Sequence, residues 1–258
     1  MKISQKQNVL LIRPTNENSV DNILLINNEK NLLASFKDYG FIYIYNLITF
    51  EIISKIKFPN ENKSITYNIQ LKDKRLAHSS HDKNIYITKQ NSNNEYFIDE
   101  ILSGHDGIIL KVIELKNEDI CSCAHDSTIK IWGKNINNKF ILKYNLKDSE
   151  ESFFSVIEIS DNIISSTSRD NYNQRFCKFW KINEQKNFFI VSDNICLWNN
   201  NFIKINNNIF GITGIDKIII IFYENEHSIK TKFFSIDEGN FLTIFKMKNN
   251  NVLISNVN

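Results

Sequence analysis

The chain has 258 residues, 42% of them hydrophobic, enough to bury a sizeable core as one all-β domain or as two small ones, of which one domain is expected. Its 31 basic and 29 acidic side chains leave a formal charge of +2, so no general attraction to nucleic acid or an anionic membrane surface is expected. No apolar run approaches the length of a membrane span, and cysteines 121, 123, 177 and 196 lack the paired spacing of a zinc site, which predicts reduced, buried thiols in an intracellular protein.

At the N-terminus the apolar core, Val9 to Ile12, is too short for a signal peptide, and residues 8–12 read as a strand. Strands are then expected at residues 20–26, 32–36, 41–45 and 51–58, each apolar or alternating and separated by polar turns. The turn between the second and third of these carries Asp38. Equivalent turns, each after an apolar strand and before an alternating one, carry Asp82, Asp126, Asp170 and Asp216. From Asp38 to Asp170 the interval is 44 residues each time, and the last interval is 46. Alternating, β-branched and aromatic segments at that spacing argue for β units and against helical repeats. With seven glycines and two prolines in the chain, asparagine is expected to supply many of the left-handed turn conformations.

The most complete unit is residues 104–132, GHDGIILKVIELKNEDICSCAHDSTIKIW. A Gly-His pair opens it, two apolar runs follow, Asp126 makes the turn, and an alternating strand ends at Trp132. This pattern resembles one repeat of the WD-repeat β-propeller family, with Gly133 where the family usually has Asp. The resemblance implies an all-β fold of four-stranded antiparallel blades, five complete and a sixth incomplete. Their bounds are about 19–60, 61–103, 104–148, 149–193 and 194–237, with the sixth formed by 238–258 together with 8–12. It also implies a structural hydrogen-bonded network among His105, Ser122, Asp126 and Trp132. The fourth unit keeps Ser166, Asp170 and Trp180, whereas Tyr45, Thr88 and Phe222 replace the Trp elsewhere.

Family resemblance places the loops between second and third strands on a protein-binding face. The residues just before each turn Asp are Lys37, His81, His125, Arg169 and Ile215, and the first four form a candidate rim for acidic or phosphorylated peptides. The expected function is a non-catalytic interaction scaffold or adaptor with other proteins as partners. The alternative is a structural subunit of a coat-like or pore-like assembly whose open last blade takes a partner strand, or a fragment of a larger propeller. Enzyme chemistry is not expected: there is no phosphate-binding Gly-rich loop, no GxSxG and no HExxH. His78 and His81 form an HxxH without obvious further ligands, so neither a metal nor another cofactor is expected.

Overall fold

A computed structural model describes residues 22–27, 31–34, 40–49, 51–60, 63–147, 152–159, 163–168 and 178–181 with their side chains, and elsewhere the backbone of the strands alone. Strands β1 (Lys2–Lys6) and β2 (Val9–Arg13) pair with each other. The first four-stranded sheet is β3 (Val20–Ile26), β4 (Asn31–Phe36), β5 (Phe41–Asn46) and β6 (Ile52–Lys57), in that order. The second is β7 (Ile65–Gln70), β8 (Leu76–Ser80), β9 (Asn84–Gln90) and β10 (Tyr96–Ser103). The third is β11 (Ile109–Glu114), β12 (Ile120–Ala124), β13 (Ile129–Lys134) and β14 (Phe140–Leu146).

The fourth sheet contains β15 (Ser152–Ser160), β16 (Ile163–Arg169) and β17 (Arg175–Ile182), with the short strands β18 (Phe188–Ile190) and β19 (Ile195–Leu197) both pairing with β17. Its outer strand is therefore split in two. A fifth sheet follows: β20 (Phe202–Lys204), β21 (Ile209–Thr213), β22 (Lys217–Asn225) and β23 (Ser228–Ser235). Strands β24 (Asn240–Lys246) and β25 (Val252–Val257) pair in a last, two-stranded sheet. Sequential antiparallel sheets of four strands are blades, and the described residues contain no helix.

Two compact units divide the chain: residues 1–114 with 132–143, and residues 115–131 with 144–258. In the first unit, a cluster of Ile26, Leu33, Ile42, Ile44, Ile56, Phe58, Ile65, Leu76, Tyr86 and Tyr96 joins the first two blades. Burying each such side chain contributes about 1.5–3 kcal/mol, so packing shared between blades adds stability that a single blade lacks. In the second unit, Phe153 and Trp180 meet edge to face at 5.8 Å beside Val156, Ile163 and Phe179, all buried.

Burial is deepest in the two middle strands of a blade. All five residues of β8 and of β12 are buried, and so are the first five of β13. The inner strands β7 and β11 bury only Ile65 with Asn68, and Ile109 with Val112. The continuous apolar character of inner strands such as residues 153–159 would suggest instead that these are the ones covered on both faces. The middle strands take that place because both their edges are paired within the blade while both their faces are covered.

Hairpin turns repeat with the same period. In residues 71–75, 91–95, 115–119 and 135–139 the first N–H donates to the carbonyl of the fifth residue at 2.8–2.9 Å, and the fourth residue has positive φ. This is a type I turn followed by a left-handed residue, the usual three-residue hairpin loop. Asparagine holds that left-handed position at Asn94 and Asn138, but Lys74 and Glu118 hold it elsewhere. Asn91 and Asn135 act instead at the start of their turns, where each side-chain oxygen accepts two backbone N–H groups at 2.9–3.0 Å.

The blades are also tied by a polar contact at a fixed position. Gln70 Oε1 accepts the N–H of Asn27 at 3.0 Å, and Glu114 Oε2 accepts that of Lys72 at 2.9 Å. In the second unit Glu158 accepts the N–H of Lys116 at 2.9 Å. Positions 70, 114 and 158 are 44 apart, so in these three blades a residue near the end of the inner strand reaches back to the first turn of the preceding blade.

Candidate interaction face and buried polar network

The turns joining β8 to β9 and β12 to β13 are built around Asp82 and Asp126. Asp82 Oδ1 accepts the Asn84 N–H at 3.1 Å, and Asp126 Oδ1 accepts the Thr128 N–H at 3.0 Å and its hydroxyl at 2.6 Å. Lys83 and Ser127, the residues after these aspartates, are left-handed. Each carboxylate thus closes its own turn. Just before them, His81 is half-buried, with its N–H on the Ser64 carbonyl at 3.0 Å, whereas His125 is exposed and stacks edge to face on Phe154 at 5.2 Å. Arg169 ends β16 and is described by its backbone. Lys37, Asp38, Asp170, Ile215 and Asp216 lie outside the described residues.

Of the four-residue network, His105 is buried with its ring centroid 6.3 Å from that of Trp132. Gly104 next to it has φ 149°, which side chains rarely adopt, whereas a Cβ there would meet the Trp132 ring at an ordinary contact distance of 3.4 Å, so the backbone angle is what favours glycine. Ser122 is fully buried, and its hydroxyl donates to the Lys130 carbonyl at 3.4 Å. In the fourth blade the corresponding Trp180 Nε1 donates to Ser166 Oγ at 2.7 Å, a short bond between two buried groups. Gly133, which replaces the family's Asp, is covered by the stem of Lys143: a Cβ built there would fall 2.0 Å from Lys143 Cε.

The second blade fills the same positions differently, with His78 44 residues before Ser122 and Thr88 44 residues before Trp132. His78 Nδ1 lies 2.8 Å from Asn68 Oδ1, and Nε2 lies 2.9 Å from Thr88 Oγ1. Asn68 Nδ2 donates to Asn22 Oδ1 at 3.1 Å, which turns the Asn68 oxygen toward the ring. The directions then follow: Nδ1 carries the proton and Nε2 accepts the Thr88 hydroxyl. Burial alone pushes the His78 pKa down to about 3, because no charge compensates the loss of water. The imidazole is neutral at physiological pH and both of its nitrogens are occupied. Nothing in the sequence marked Asn68 and Asn22 as its partners. The period did align His78 and Thr88 with a Ser and a Trp, and two polar residues at such positions signal a bond between strands.

Other reactive groups are equally committed. Cys121 and Cys123 are free thiols buried at 0% exposure, and burial followed by the neighbouring Cys123 pushes the Cys121 pKa well up, away from a nucleophilic thiolate. Among the described residues no three His, Cys, Asp or Glu side chains gather as a metal site. No helix among them is long and apolar enough to cross a membrane.

At the other end of the second blade, sequence reasoning missed a charged cleft of about 370 Å³ lined by Asp73, Arg75, Lys89, Asp99 and residues 137–139. Arg75 Nη1 reaches Glu100 at 2.6 Å and Asp99 at 3.4 Å, and Nη2 reaches Asp73 at 2.9 Å. Its guanidinium lies 5.1 Å from the Phe140 ring centre. Asp99 is further held by Lys89 at 2.6 Å and Lys139 at 3.3 Å. Burial pushes the Asp99 pKa up, but hydrogen bonds from Lys89 and Lys139 outweigh it and hold the carboxyl below its ordinary range. These residues are scattered through β7 to β14, so no local motif announces them.

No protein-family model matches the chain, and neither does any curated protein. Solved structures do, 983 chains of them, too many for the likeness to single out one function. A chain in a crystal structure of a mitotic checkpoint complex superposes with a TM-score of 0.70 over 92% of this chain and 71% of that one, at 12% identity. A likeness at that identity shows the fold alone, and with the four-stranded antiparallel sheets it establishes the chain as an all-β protein of the β-propeller fold.

Proposed function

We propose that the chain is a degenerate WD-repeat propeller that works inside the cell as a non-catalytic scaffold or adaptor, docking other proteins on the ends of its blades. The observation that carries this reading is the fate of its polar side chains. His78 and Ser166, which on another fold would suggest acid–base or nucleophilic chemistry, are spent on bonds between strands, and the Cys121 thiol is buried. What remains accessible is the turns and parts of the outer strands, where Ile52, Phe97, Ile101 and Ile141 are exposed. The similar chain was solved as part of a protein complex, which agrees with docking as the use of this fold.

On this reading Lys37, His81, His125 and Arg169 form a rim for acidic or phosphorylated peptides, and His105, Ser122, Asp126 and Trp132 hold the third blade beneath it. The turn aspartates Asp38, Asp82, Asp126, Asp170 and Asp216 shape the loops. Affinity purification of the full chain against a Lys37→Glu, Arg169→Glu variant, with quantitative mass spectrometry, tests it. Partners depleted about tenfold by the variant are expected, and an unchanged set of partners would remove the rim from the account.

The two-stranded sheet β24-β25 favours a second reading, in which a partner adds a strand to an incomplete blade in a structural assembly. If the chain alone is monomeric and soluble the adaptor reading gains; if it stays soluble only with one coexpressed protein, the subunit reading gains.

A further inference from the structure

The cleft at the β7–β8 and β13–β14 turns has features that blade packing alone does not require. The lining of the cleft carries three cationic groups, Arg75, Lys89 and Lys139, and two carboxylates, Asp73 and Asp99. The deep part of the cluster is consumed internally. Glu100 takes Arg75 and the N–H of Phe140 at 2.8 Å, while Asp73 takes Arg75 and Lys134. The positive excess falls at the mouth, where Lys89 and Lys139 both meet Asp99, Lys139 also lying 3.8 Å from Glu100, and are still 45% and 49% exposed.

Beside that mouth, on the same turn as Asn137 and Asn138, Ile136 stands fully in solvent at 101% exposure. The turn is held by its asparagines, with Asn135 accepting two N–H groups and Asn138 in the left-handed position, so the isoleucine contributes nothing to its geometry. A β-branched apolar side chain at the tip of a polar turn and a pair of half-exposed lysines next to it are complementary to one kind of surface.

We propose that this cleft is a docking site for a segment of a partner protein that places an Asp or Glu carboxylate between Lys89 and Lys139 and an apolar side chain against Ile136. A carboxylate matches the excess of one positive charge, whereas a dianionic phosphate would overshoot it beside Asp73, Asp99 and Glu100. The inference rests on the docking role proposed above but uses the end of the second blade opposite to the rim, since in a four-stranded meander the first and third turns share one end and the second turn lies at the other.

The test is selection of a random nine-residue peptide library on the full chain, followed by fluorescence polarisation with one labelled selected peptide. Peptides with Asp or Glu near Leu, Ile or Phe are expected to be enriched. Their affinity should fall about tenfold with Lys89→Gln and Lys139→Gln together, and severalfold with Ile136→Ser, a position that no packing depends on. Lys37→Glu with Arg169→Glu should leave it unchanged, which separates this site from the rim. No enrichment, enriched peptides lacking an acidic residue, or affinity indifferent to Lys89, Lys139 and Ile136 would overturn the proposal. Tighter binding when phosphoserine replaces the acidic residue would overturn the carboxylate assignment.

Discussion

His78 shows how a blade can exchange one polar device for another. With Asn68, Asn22 and Thr88 it forms a chain in which every donor meets one acceptor, inside a site that holds Phe58 at 5.3 Å from the imidazole. Such a chain stabilises only while complete, because a buried orphaned group costs about 1–3 kcal/mol. His78→Ala strands Asn68 and Thr88 and opens a cavity, so chemical denaturation should show a loss of about 2–4 kcal/mol, against less than about 0.5 kcal/mol for Lys143→Ala at the exposed stem over Gly133. The same residue gives a pH signature. Its folded pKa of about 3 lies below the ordinary value of 6.5, so between those values the unfolded chain binds the proton and the folded chain does not. Stability should be full above pH 6.5 and fall as pH drops toward 3, by at most about 1.4 kcal/mol per unit. Melting curves from pH 7 to 4 on the chain and on His78→Gln check this: the variant should show a shallower decline, and equal declines would contradict the assignment. Gly133→Asp, which restores the family's residue, displaces only the flexible end of Lys143 and should change the melting temperature by no more than about 2 °C.

Elements were legible in the sequence where alternation and turn chemistry agreed. The reading places strands at residues 20–26, 32–36 and 41–45, and the structure has them at Val20–Ile26, Asn31–Phe36 and Phe41–Asn46. A strand is announced by nearest-neighbour chemistry, which a single sequence carries. Contacts between blades are not, and the acceptors Gln70, Glu114 and Glu158 passed unremarked although they keep the same 44-residue spacing. Each looks like an ordinary solvated side chain at a strand end. The charged cleft was missed for the same reason, since Arg75 and Glu100 are 25 residues apart and come together only through three strands. Because Glu114 accepts a backbone N–H with a charged oxygen, Glu114→Ala should destabilise by about 1–2 kcal/mol and Glu114→Gln by less than half of that, measured by urea denaturation. Equal losses would show that the carbonyl-type acceptor is not what matters.

At the scale of the whole molecule the repeat is the source of stability and, on the proposed reading, of function. Among the described residues the middle strands are sealed by pairing on both edges and packing on both faces while the outer strands stay half-open, and on the proposed reading the turns are what a partner meets. Hydrogen exchange followed by mass spectrometry on overlapping fragments measures that pattern directly. Slow exchange should recur with a spacing of 44 residues, at Leu76–Ser80 and Ile120–Ala124 and in the strands that follow each, with fast exchange at residues 71–75, 91–95, 115–119 and 135–139. Protection spread evenly along the chain, or strongest in the outer strands Tyr96–Ser103 and Phe140–Leu146, would contradict it.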